Sequence, residues 1–324
     1  MRFVIYGAGA IGGLVGGRLF ESGHDVVLIA RGEHRRVIES DGLRIESNGG
    51  DVTVPVPVVG HPSELELTPS DVVVLTMKTQ HAADAIETLA SLAPSATPIV
   101  CMQNGVESER LTLRRFADVH AVTVMCPATY LEPGVVQASS SPITGLLDIG
   151  RYPSGQNAIT EAIAEALNRS TFESRVQPDI MRWKYAKLIM NLGNAAEALC
   201  GPSARLGDLA RRVRSEGAAV FRAAGIDVAS REEDLERRGD RLTIEPIHGQ
   251  ERGGGSSWQS VQRGTGNIEA DYLNGEVVLL GRLHGVPTPV NTTLQRLANQ
   301  LVRTGGTPGG MSDDEVLALA EAPA

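Results

Sequence analysis

The sequence predicts an α/β domain with a parallel sheet in its first half and a helical domain in its second half. Up to about residue 150, short β-branched runs alternate with helical patterns, as in parallel strands joined by crossover helices. From Asp179 onward the patterns become long, helical and rich in Ala, Leu and Arg. Because Pro178 disfavours a continuous helix through the boundary, we expect domains at residues 1–175 and 176–324.

The individual elements of the first domain follow from its apolar runs. Residues 3–6 predict the first strand, residues 11–22 a helix, and residues 25–29 the second strand. The remaining predicted strands lie at residues 43–45, 52–58, 71–76, 98–102 and 119–124, with a helix at 82–92. Two later runs, at 135–139 and 146–149, suggest antiparallel additions to the sheet.

Composition narrows the classes of function. The 324 residues suit about two domains. A net charge of -9, with charges of both signs spread along the chain, argues against a nucleic-acid-binding protein and favours small-molecule partners. Cys101, Cys126 and Cys200 are far apart and lack a CxxC or a nearby His pair, so we expect neither a disulfide framework nor a metal site. A reducing cytoplasm fits this cysteine usage.

The apolar run at residues 3–20 raises the question of a signal peptide or membrane span. It is interrupted by glycines spaced for a strand, a tight turn and a closely packed helix, namely Gly7, Gly9, Gly12, Gly13, Gly16 and Gly17. No later stretch reaches the roughly 20 apolar residues that a spanning helix needs. We therefore expect no membrane association.

A GxGxxG pattern, Gly7-Ala8-Gly9-Ala10-Ile11-Gly12, lies between the first predicted strand and helix. In that setting it is typical of a Rossmann domain. The first glycine permits the turn, the second lets a pyrophosphate approach, and the third lets helix pack on strand. The helix start presents free N–H groups to the phosphates, so Gly7, Gly9, Ala10, Ile11 and Gly12 are candidate cofactor-binding residues. The alternative is a glycine-rich turn without a ligand.

The end of the second predicted strand indicates which nucleotide is bound. Where NAD-preferring domains place an acidic residue, this chain has Arg31, with His34, Arg35 and Arg36 close behind. A guanidinium can pair bidentately with a 2′-phosphate, which favours NADP(H). Alternatively, Arg31 is an ordinary solvated residue.

In the second domain, Lys187, Asn191 and Asn194 fall at i, i+4 and i+7 of a predicted helix, on one face among apolar neighbours. A carbonyl reductase needs a proton donor and polar groups that orient its substrate, and this face could supply both. The alternatives are a surface lysine and an internally satisfied asparagine pair.

Three further segments make the pattern specific. Ser256-Ser257-Trp258-Gln259 is followed twelve residues after Ser257 by Glu269 in Glu269-Ala-Asp-Tyr-Leu-Asn274-Gly275, and then by Gly285-Val-Pro-Thr-Pro-Val-Asn291. Together with the glycine turn, Arg31, Lys78, Gln103-Asn104-Gly105-Val106 and the Lys187 helix, this order resembles the ketopantoate reductase family over essentially the whole chain.

The resemblance implies an NADPH-dependent reductase of a 2-oxo acid. It implies a Rossmann domain followed by an all-α domain of the 6-phosphogluconate dehydrogenase C-terminal-like type, which would bind substrate. The helix pairs of this second domain could build a homodimer interface or an intramolecular core. Lys187 would be the general acid, and Glu269 would position the new hydroxyl oxygen or Lys187. The implied binding residues are Lys78 and Asn104 for the cofactor, and Asn191, Asn194 and Ser257 for the substrate.

Two departures from the family pattern lie on the substrate side. Asn194 comes one residue early, before Ala195-Ala196 in place of Asn-Pro, and Gly254 stands where the family often has asparagine. The substrate is therefore left open between ketopantoate, reduced to pantoate for pantothenate and coenzyme A synthesis, and another 2-oxo acid or carbonyl compound. A non-catalytic NADP-binding sensor is the alternative of a different class. Residues 305–324 suggest a loosely held tail.

Overall fold

The computed structural model describes residues 1–201, 204, 207–264 and 266–322. The chain divides into two units. The first contains Met1–Lys184 and Arg231–Arg252, and the second contains Tyr185–Ser230 and Gly253–Ala324. The first unit is built around strands and the second around helices, so the predicted fold class is confirmed.

The strands lie in the first unit. They are β1 (Arg2–Tyr6), β2 (Asp25–Ile29), β3 (Leu43–Ser47), β4 (Val52–Val54), β5 (Val58–Val59), β6 (Asp71–Leu75), β7 (Ile99–Cys101), β8 (Val119–Met125), β9 (Ala128–Thr129), β10 (Val135–Ala138), β11 (Ser140–Pro142), β12 (Gly145–Arg151), β13 (Phe172–Glu173) and β14 (Leu242–Ile244).

The helices belong to both units. They are α1 (Ala10–Glu21), α2 (Gly32–Asp41), α3 (Ala82–Ala90), α4 (Ser108–Leu113), α5 (Ala158–Asn168), α6 (Ile180–Asn191), α7 (Asn194–Cys200), α8 (Asp208–Ala223), α9 (Arg231–Arg238), α10 (Ser256–Gln262), α11 (Asn274–His284), α12 (Pro289–Arg303) and α13 (Asp313–Glu321). Among the described residues, no helix is both long enough and apolar enough to cross a bilayer.

The main sheet of the first unit has the strand order β13-β12-β8-β7-β6-β1-β2-β5. Its neighbours pair in parallel except β8 and β12, which are antiparallel. The chain adds β2 on one side of β1 and β6 on the other. Because such a reversal opens a crevice at the carboxyl ends of the strands, it marks the expected ligand edge of this sheet.

The central strands are buried on both faces, which explains their unbroken apolar runs. Helix α1 packs very closely on β2 and β3. A Cβ atom at Gly16 would lie 2.5 Å from Leu28 Cδ2, and one at Gly17 would lie 2.8 Å from Ile45 Cδ1. The glycines that break the apolar run therefore serve helix packing.

Two strand predictions were wrong in detail. Residues 52–58 form β4 and β5 in different sheets, because Pro55 and Pro57 lack the N–H that a continuous ladder needs. The run at 135–139 does not extend the main sheet. Strand β10 instead joins a four-stranded sheet of order β4-β3-β10-β9, parallel to β3 and antiparallel to β9. The antiparallel addition predicted at 146–149 is confirmed as β12.

The segment Arg231–Arg252 belongs to the strand-rich unit, although its sequence lies within the helical half. Arg237 on α9 donates to both carboxylate oxygens of Asp148, at 2.7 and 2.6 Å, and to Glu173 at 2.8 Å. Both Arg237 and Asp148 are buried. A buried guanidinium needs such partners, so this pairing fixes the segment on the first unit.

In the second unit, two asparagines from the segments that resemble the ketopantoate reductase family, Asn274 and Asn291, hold helix ends together. Glu216 on α8 accepts the N–H groups of Val290 and Asn291 at the start of α12, each at 2.9 Å. Asn274 at the start of α11 donates to Asn291 Oδ1 at 3.0 Å and to the carbonyl of Leu192 at 3.1 Å. These buried bonds satisfy polar groups that helix termini leave open. Asn274 and Asn291 therefore have an architectural role.

A helix lies near the end of the described residues. Residues 313–321 form α13, which starts with a capping box between Ser312 and Glu315. Its apolar face is covered, because Val316 is fully buried and Leu317 and Ala320 nearly so. Within the segment that the sequence suggested as a loosely held tail, α13 contacts α8 and α12 of its own unit.

Candidate active site

The three glycines of the glycine-rich turn differ in how much space the structure leaves for a side chain. Gly7 has φ +107°, and a Cβ atom there would lie 2.9 Å from Met77 N. At Gly12 it would lie 2.3 Å from both Gly7 O and Thr76 Oγ1. A Cβ at Gly9 would meet no atom within 4 Å. The fold itself thus requires Gly7 and Gly12, whereas Gly9 leaves open space, as a turn that admits a diphosphate needs.

Helix α1 begins at this turn and is suited to an anion. Its N-cap, Gly9, offers no side chain, and its first turn contains no acidic residue. The N–H groups of Ala10, Ile11 and Gly12 come before the first intrahelical bond, in which Gly13 N donates to Gly9 O at 2.7 Å. The positive end of the helix dipole is therefore not compensated by an acidic side chain of its own first turn.

Arg31 follows β2 at the same sheet edge and is the N-cap of α2. It is exposed, and no side-chain hydrogen bond or salt bridge engages it within the described part of the chain. In contrast, Arg35 pairs with Glu64 at 3.0 Å, and Arg36 pairs with Glu33. Of the three arginines singled out from the sequence, Arg31 is the one left available for a ligand.

The predicted cofactor residues Lys78 and Asn104 lie on loops that the structure joins. These loops follow the neighbouring strands β6 and β7. Thr79 Oγ1 donates to the carbonyl of Asn104 at 3.1 Å, and Gln103 Nε2 donates to the carbonyl of Met77 at 2.8 Å. Both loops thus stand at the carboxyl edge that also carries the glycine turn.

Sequence reasoning missed a buried ion pair next to these loops. Lys184 on α6 pairs with Glu109 on α4 and donates to the carbonyl of Gln103 at 3.0 Å. Burial raises the pKa of Glu109, and the ammonium of Lys184 opposes that rise. The available signal was the rarity of lysine, since Lys78, Lys184 and Lys187 are the chain's three lysines among 30 basic residues.

The polar set of the second unit is divided between two helices. Lys187 is half-buried and Asn191 is buried, both on α6. The helix ends at Asn191 and resumes as α7 at Asn194, so the expectation of one continuous face including Asn194 was wrong. The interruption falls at Leu192 and Gly193, where glycine disfavours helix continuation.

Ser257 and Glu269 are both buried on separate elements of the second unit. Ser257 lies on α10, and Glu269 begins a 3₁₀ turn that packs against α11 and α12. Glu197, three residues after Asn194, accepts the N–H of Gly255 through both oxygens, at 3.1 and 3.2 Å. This bond holds the start of α10 against α7 and brings the elements of Ser257 and Asn194 together.

The departure at Gly254 has a packing cause. A Cβ atom at Gly254 would lie 2.7 Å from Trp258 Cγ, and one at Gly253 would lie 2.7 Å from Trp258 Cη2. The indole therefore covers the backbone of both glycines. An asparagine at position 254 would require Trp258 to move.

Other reactive groups of the described chain show no comparable site. The three cysteines are free, and burial raises the pKa of the Cys126 thiol to about 12, so it stays protonated at neutral pH. Glu46, Asp51 and His248 bring ligand atoms within 4.8 Å of one another. The guanidinium of Arg44 already bridges both carboxylates, at 3.2 and 2.7 Å.

Comparison with protein families decides between the classes of function. The family model described as ketopantoate reductase PanE/ApbA matches residues 3–153, and its C-terminal counterpart matches residues 179–302. The chain belongs to the ketopantoate reductase family. The resemblance read from the sequence is confirmed, and the chain is an oxidoreductase of the type that acts on CH–OH groups.

Relatives and solved structures agree over nearly the full length. The 2-dehydropantoate 2-reductase of Pyrococcus horikoshii is 30% identical over 94% of this chain and 99% of its own length. That of Halobacterium salinarum is 29% identical over 94% and 100%. A ketopantoate reductase structure from Ralstonia eutropha has a TM-score of 0.77 at 26% identity, covering 94% of this chain and 99% of its own.

A D-mandelate dehydrogenase bound to NADH and anilino(oxo)acetate shares the fold, with a TM-score of 0.78 at 24% identity, over 94% of this chain and 99% of its own. The same architecture therefore occurs in proteins named for different acids, ketopantoate in one and D-mandelate in the other. Fold alone does not select a substrate.

Proposed function

We propose that this protein reduces a 2-oxo acid with NADPH, and that the substrate is ketopantoate, which yields pantoate for pantothenate and coenzyme A synthesis. One observation carries the proposal: the chain aligns over 94% of its length with proteins named 2-dehydropantoate 2-reductase. The open space at Gly9 and the uncompensated start of α1 support a dinucleotide. The protein would act in the cytoplasm.

The preference for NADPH rests on Arg31. It is exposed at the end of β2 and makes no side-chain hydrogen bond or ion pair with the residues that the structure describes. An adenosine ribose lies at this place in Rossmann domains, and here the position holds no acidic residue to bind a 2′-hydroxyl. A guanidinium there binds a 2′-phosphate in two parallel hydrogen bonds. On the two joined loops, Lys78 would lie near the cofactor and Asn104 by its nicotinamide and ribose.

The chemistry divides between cofactor and protein. When bound, a nicotinamide cofactor would supply the hydride that C2 of the 2-oxo acid needs. The carbonyl oxygen then gains a proton, and we assign that proton to the ammonium of Lys187, with Glu269 positioning the oxygen or Lys187 itself. Asn191, Asn194 and Ser257 would hold the substrate through its carboxylate and carbonyl.

A second substrate class is favoured by particular residues. Ala195 and Ala196 replace the family's Asn-Pro, and Trp258 covers the backbone at Gly254. If these changes reshape the substrate side, a different 2-oxo acid would be reduced faster than ketopantoate.

The test is NADPH oxidation by the purified protein against a panel of 2-oxo acids that includes ketopantoate. Lys187→Ala and the replacement of NADPH by NADH are run in parallel. We expect fast turnover of ketopantoate, a loss of about 10²–10⁴-fold in the variant with NADPH binding retained, and weaker activity with NADH. Fast turnover of another acid in place of ketopantoate would establish the second class. Tight NADPH binding without turnover of any acid would contradict the reductase assignment.

A further inference from the structure

His34 is a buried residue of α2, three positions after Arg31, and its ring bonds two other segments. Its Nε2 lies 2.6 Å from the carbonyl oxygen of Ala8, inside the glycine-rich turn. Its Nδ1 accepts the N–H of Gly134 at 2.8 Å. The ring of Tyr130 packs on it with centroids 4.5 Å apart.

The two bonds determine the tautomer. The N–H of Gly134 can only donate, so Nδ1 must carry a lone pair. The proton of the neutral ring therefore resides on Nε2, which donates to the carbonyl of Ala8. Each ring nitrogen thus has a hydrogen-bond partner. If Nδ1 were protonated, its N–H would face the N–H of Gly134, and neither could accept a hydrogen bond. Burial lowers the pKa of His34, which keeps the ring neutral.

The bond to Ala8 acts on the backbone that would receive the diphosphate. The carbonyl of Ala8 and the N–H of Gly9 belong to one rigid peptide plane. The turn is also held by the N–H groups of Gly7 and Ala8, which both donate to Ile29 O at 3.2 Å, and by Gly9 N, which donates to Gly7 O at 2.8 Å. The hydroxyl of Thr76 donates to Gly7 O as well, at 2.7 Å. His34 thus adds a side-chain bond that fixes the plane of Ala8 and Gly9 from the α2 side.

The second bond secures the ring itself. Gly134 has φ +77°, and a Cβ atom there would lie 2.3 Å from Val37 Cγ1 on α2. The turn before β10 is therefore pressed against the helix that carries His34. A side chain at residue 134 would therefore push this turn, and the N–H that His34 accepts, away from α2.

We propose that His34 is a positioning residue for the nucleotide, which holds the Ala8–Gly9 peptide plane in the orientation that binds the diphosphate. The inference rests on the proposed nucleotide binding of this turn. It differs from a purely structural role in predicting a change in cofactor affinity without a matching change in the chemical step.

The test compares two variants by calorimetric titration with NADPH and with NADH. His34→Gln keeps one donor and one acceptor, whereas His34→Phe keeps a planar ring and loses both. We expect His34→Phe to weaken both nucleotides by about tenfold, because a tenfold change corresponds to one modest hydrogen bond. His34→Gln should stay within about threefold of the wild type, and kcat at saturating NADPH should be unchanged in both.

Three results would overturn the inference. One is an unchanged dissociation constant in a folded His34→Phe variant, with only its Tm lowered. Another is a weakening confined to NADPH, which would place the effect at Arg31. The third is equal damage in both variants, which would assign the role to ring shape. If His34→Phe does not fold, His34→Leu takes its place with the same expectation. Wild-type protein that binds neither nucleotide would contradict the proposed function, whereas the other three results leave it standing.

Discussion

The ammonium of Lys184 lies against the carboxylate of Glu109, and the two side chains are 2% and 0% exposed. Lysine is rare in this chain, in which most basic residues are arginines. An ammonium is a compact point charge, whereas a guanidinium is a wide planar group with five donors. Lys184 also donates to the carbonyl of Gln103, so within the first unit it fixes the first residues of α6, up to Lys184, to the loop that carries Asn104.

We expect Lys184→Met to lower the free energy of unfolding by about 3–5 kcal/mol, because it leaves the Glu109 carboxylate buried without a countercharge. Urea titration measures this. The double variant Lys184→Met with Glu109→Leu should recover most of the loss, since an apolar pair leaves no buried charge. Arg36→Met, which breaks an exposed pair with Glu33, is the control and should not shift the midpoint. Additive losses in the double variant would contradict a coupled pair.

Gly9 and Gly12 should respond differently to the same added methyl group. Gly9→Ala meets no protein atom, so we expect an unchanged Tm together with nucleotide binding weakened by about tenfold or more. Gly12→Ala meets Gly7 O and Thr76 Oγ1, so it should lower both the Tm and the affinity. Thermal unfolding with and without NADPH separates the two effects. Normal binding by Gly9→Ala would show that no phosphate approaches this backbone.

Arg31→Ala should weaken NADPH by about 10- to 100-fold and leave NADH nearly unchanged, because a charged hydrogen-bonded pair contributes about 1.5–3 kcal/mol. Titration of both nucleotides measures the ratio. Arg36→Ala is the matched control on the same helix, since its guanidinium is already paired with Glu33. An equal loss for both nucleotides would remove Arg31 from the 2′-phosphate.

Stability should fall in mild acid through two buried histidines. Burial lowers the pKa of His34 and of His120 below the ordinary value of 6.5, although Asp118 opposes the shift at His120. Below pH 6.5 the unfolded chain therefore binds more protons than the folded one, so the free energy of unfolding rises with pH in that window and is fully regained above it.

The loss is up to about 1.4 kcal/mol per histidine for each pH unit below that value, until the folded-state pKa is reached. Urea titrations at about pH 5.5, 6.5 and 7.5 measure it. His34→Gln should flatten the profile by its share, and the exposed His284→Gln should leave it unchanged. An identical slope in His34→Gln would show that His34 is not held neutral.

Fold prediction succeeded where local pattern and burial agree. The strands β1, β2 and β6 were predicted because parallel strands buried on both faces read as unbroken apolar runs. The strand predictions failed in detail for residues 52–58 and 135–139, because the strand that pairs with a short strand can lie far away in sequence. Pro55 and Pro57 were the visible signal that the first of these runs divides.

For the candidate site, residue spacing pointed to the candidate side chains but did not predict their hydrogen-bond and ion-pair partners. The spacing of Lys187, Asn191 and Asn194 predicted one helical face, yet the helix is broken at Gly193. Neither the Glu109 pair of Lys184 nor the bond from His34 to Ala8 has a local pattern, because the partners are 75 and 26 residues apart. The roles of Lys187, Glu269 and Ser257 stay predictions.

Spacing along the sequence is enough to establish the order of elements, the glycine turn at residue 7, an arginine in place of an acid at position 31, and the family resemblance. The three-dimensional fold was needed to show that residues 231–252 join the strand-rich unit, that Asn274 and Asn291 hold helix ends, and that His34 and Lys184 are buried at the candidate cofactor edge. A buried polar group must have a hydrogen-bond partner nearby in space, and that partner can be distant in sequence, so local patterns do not reveal it.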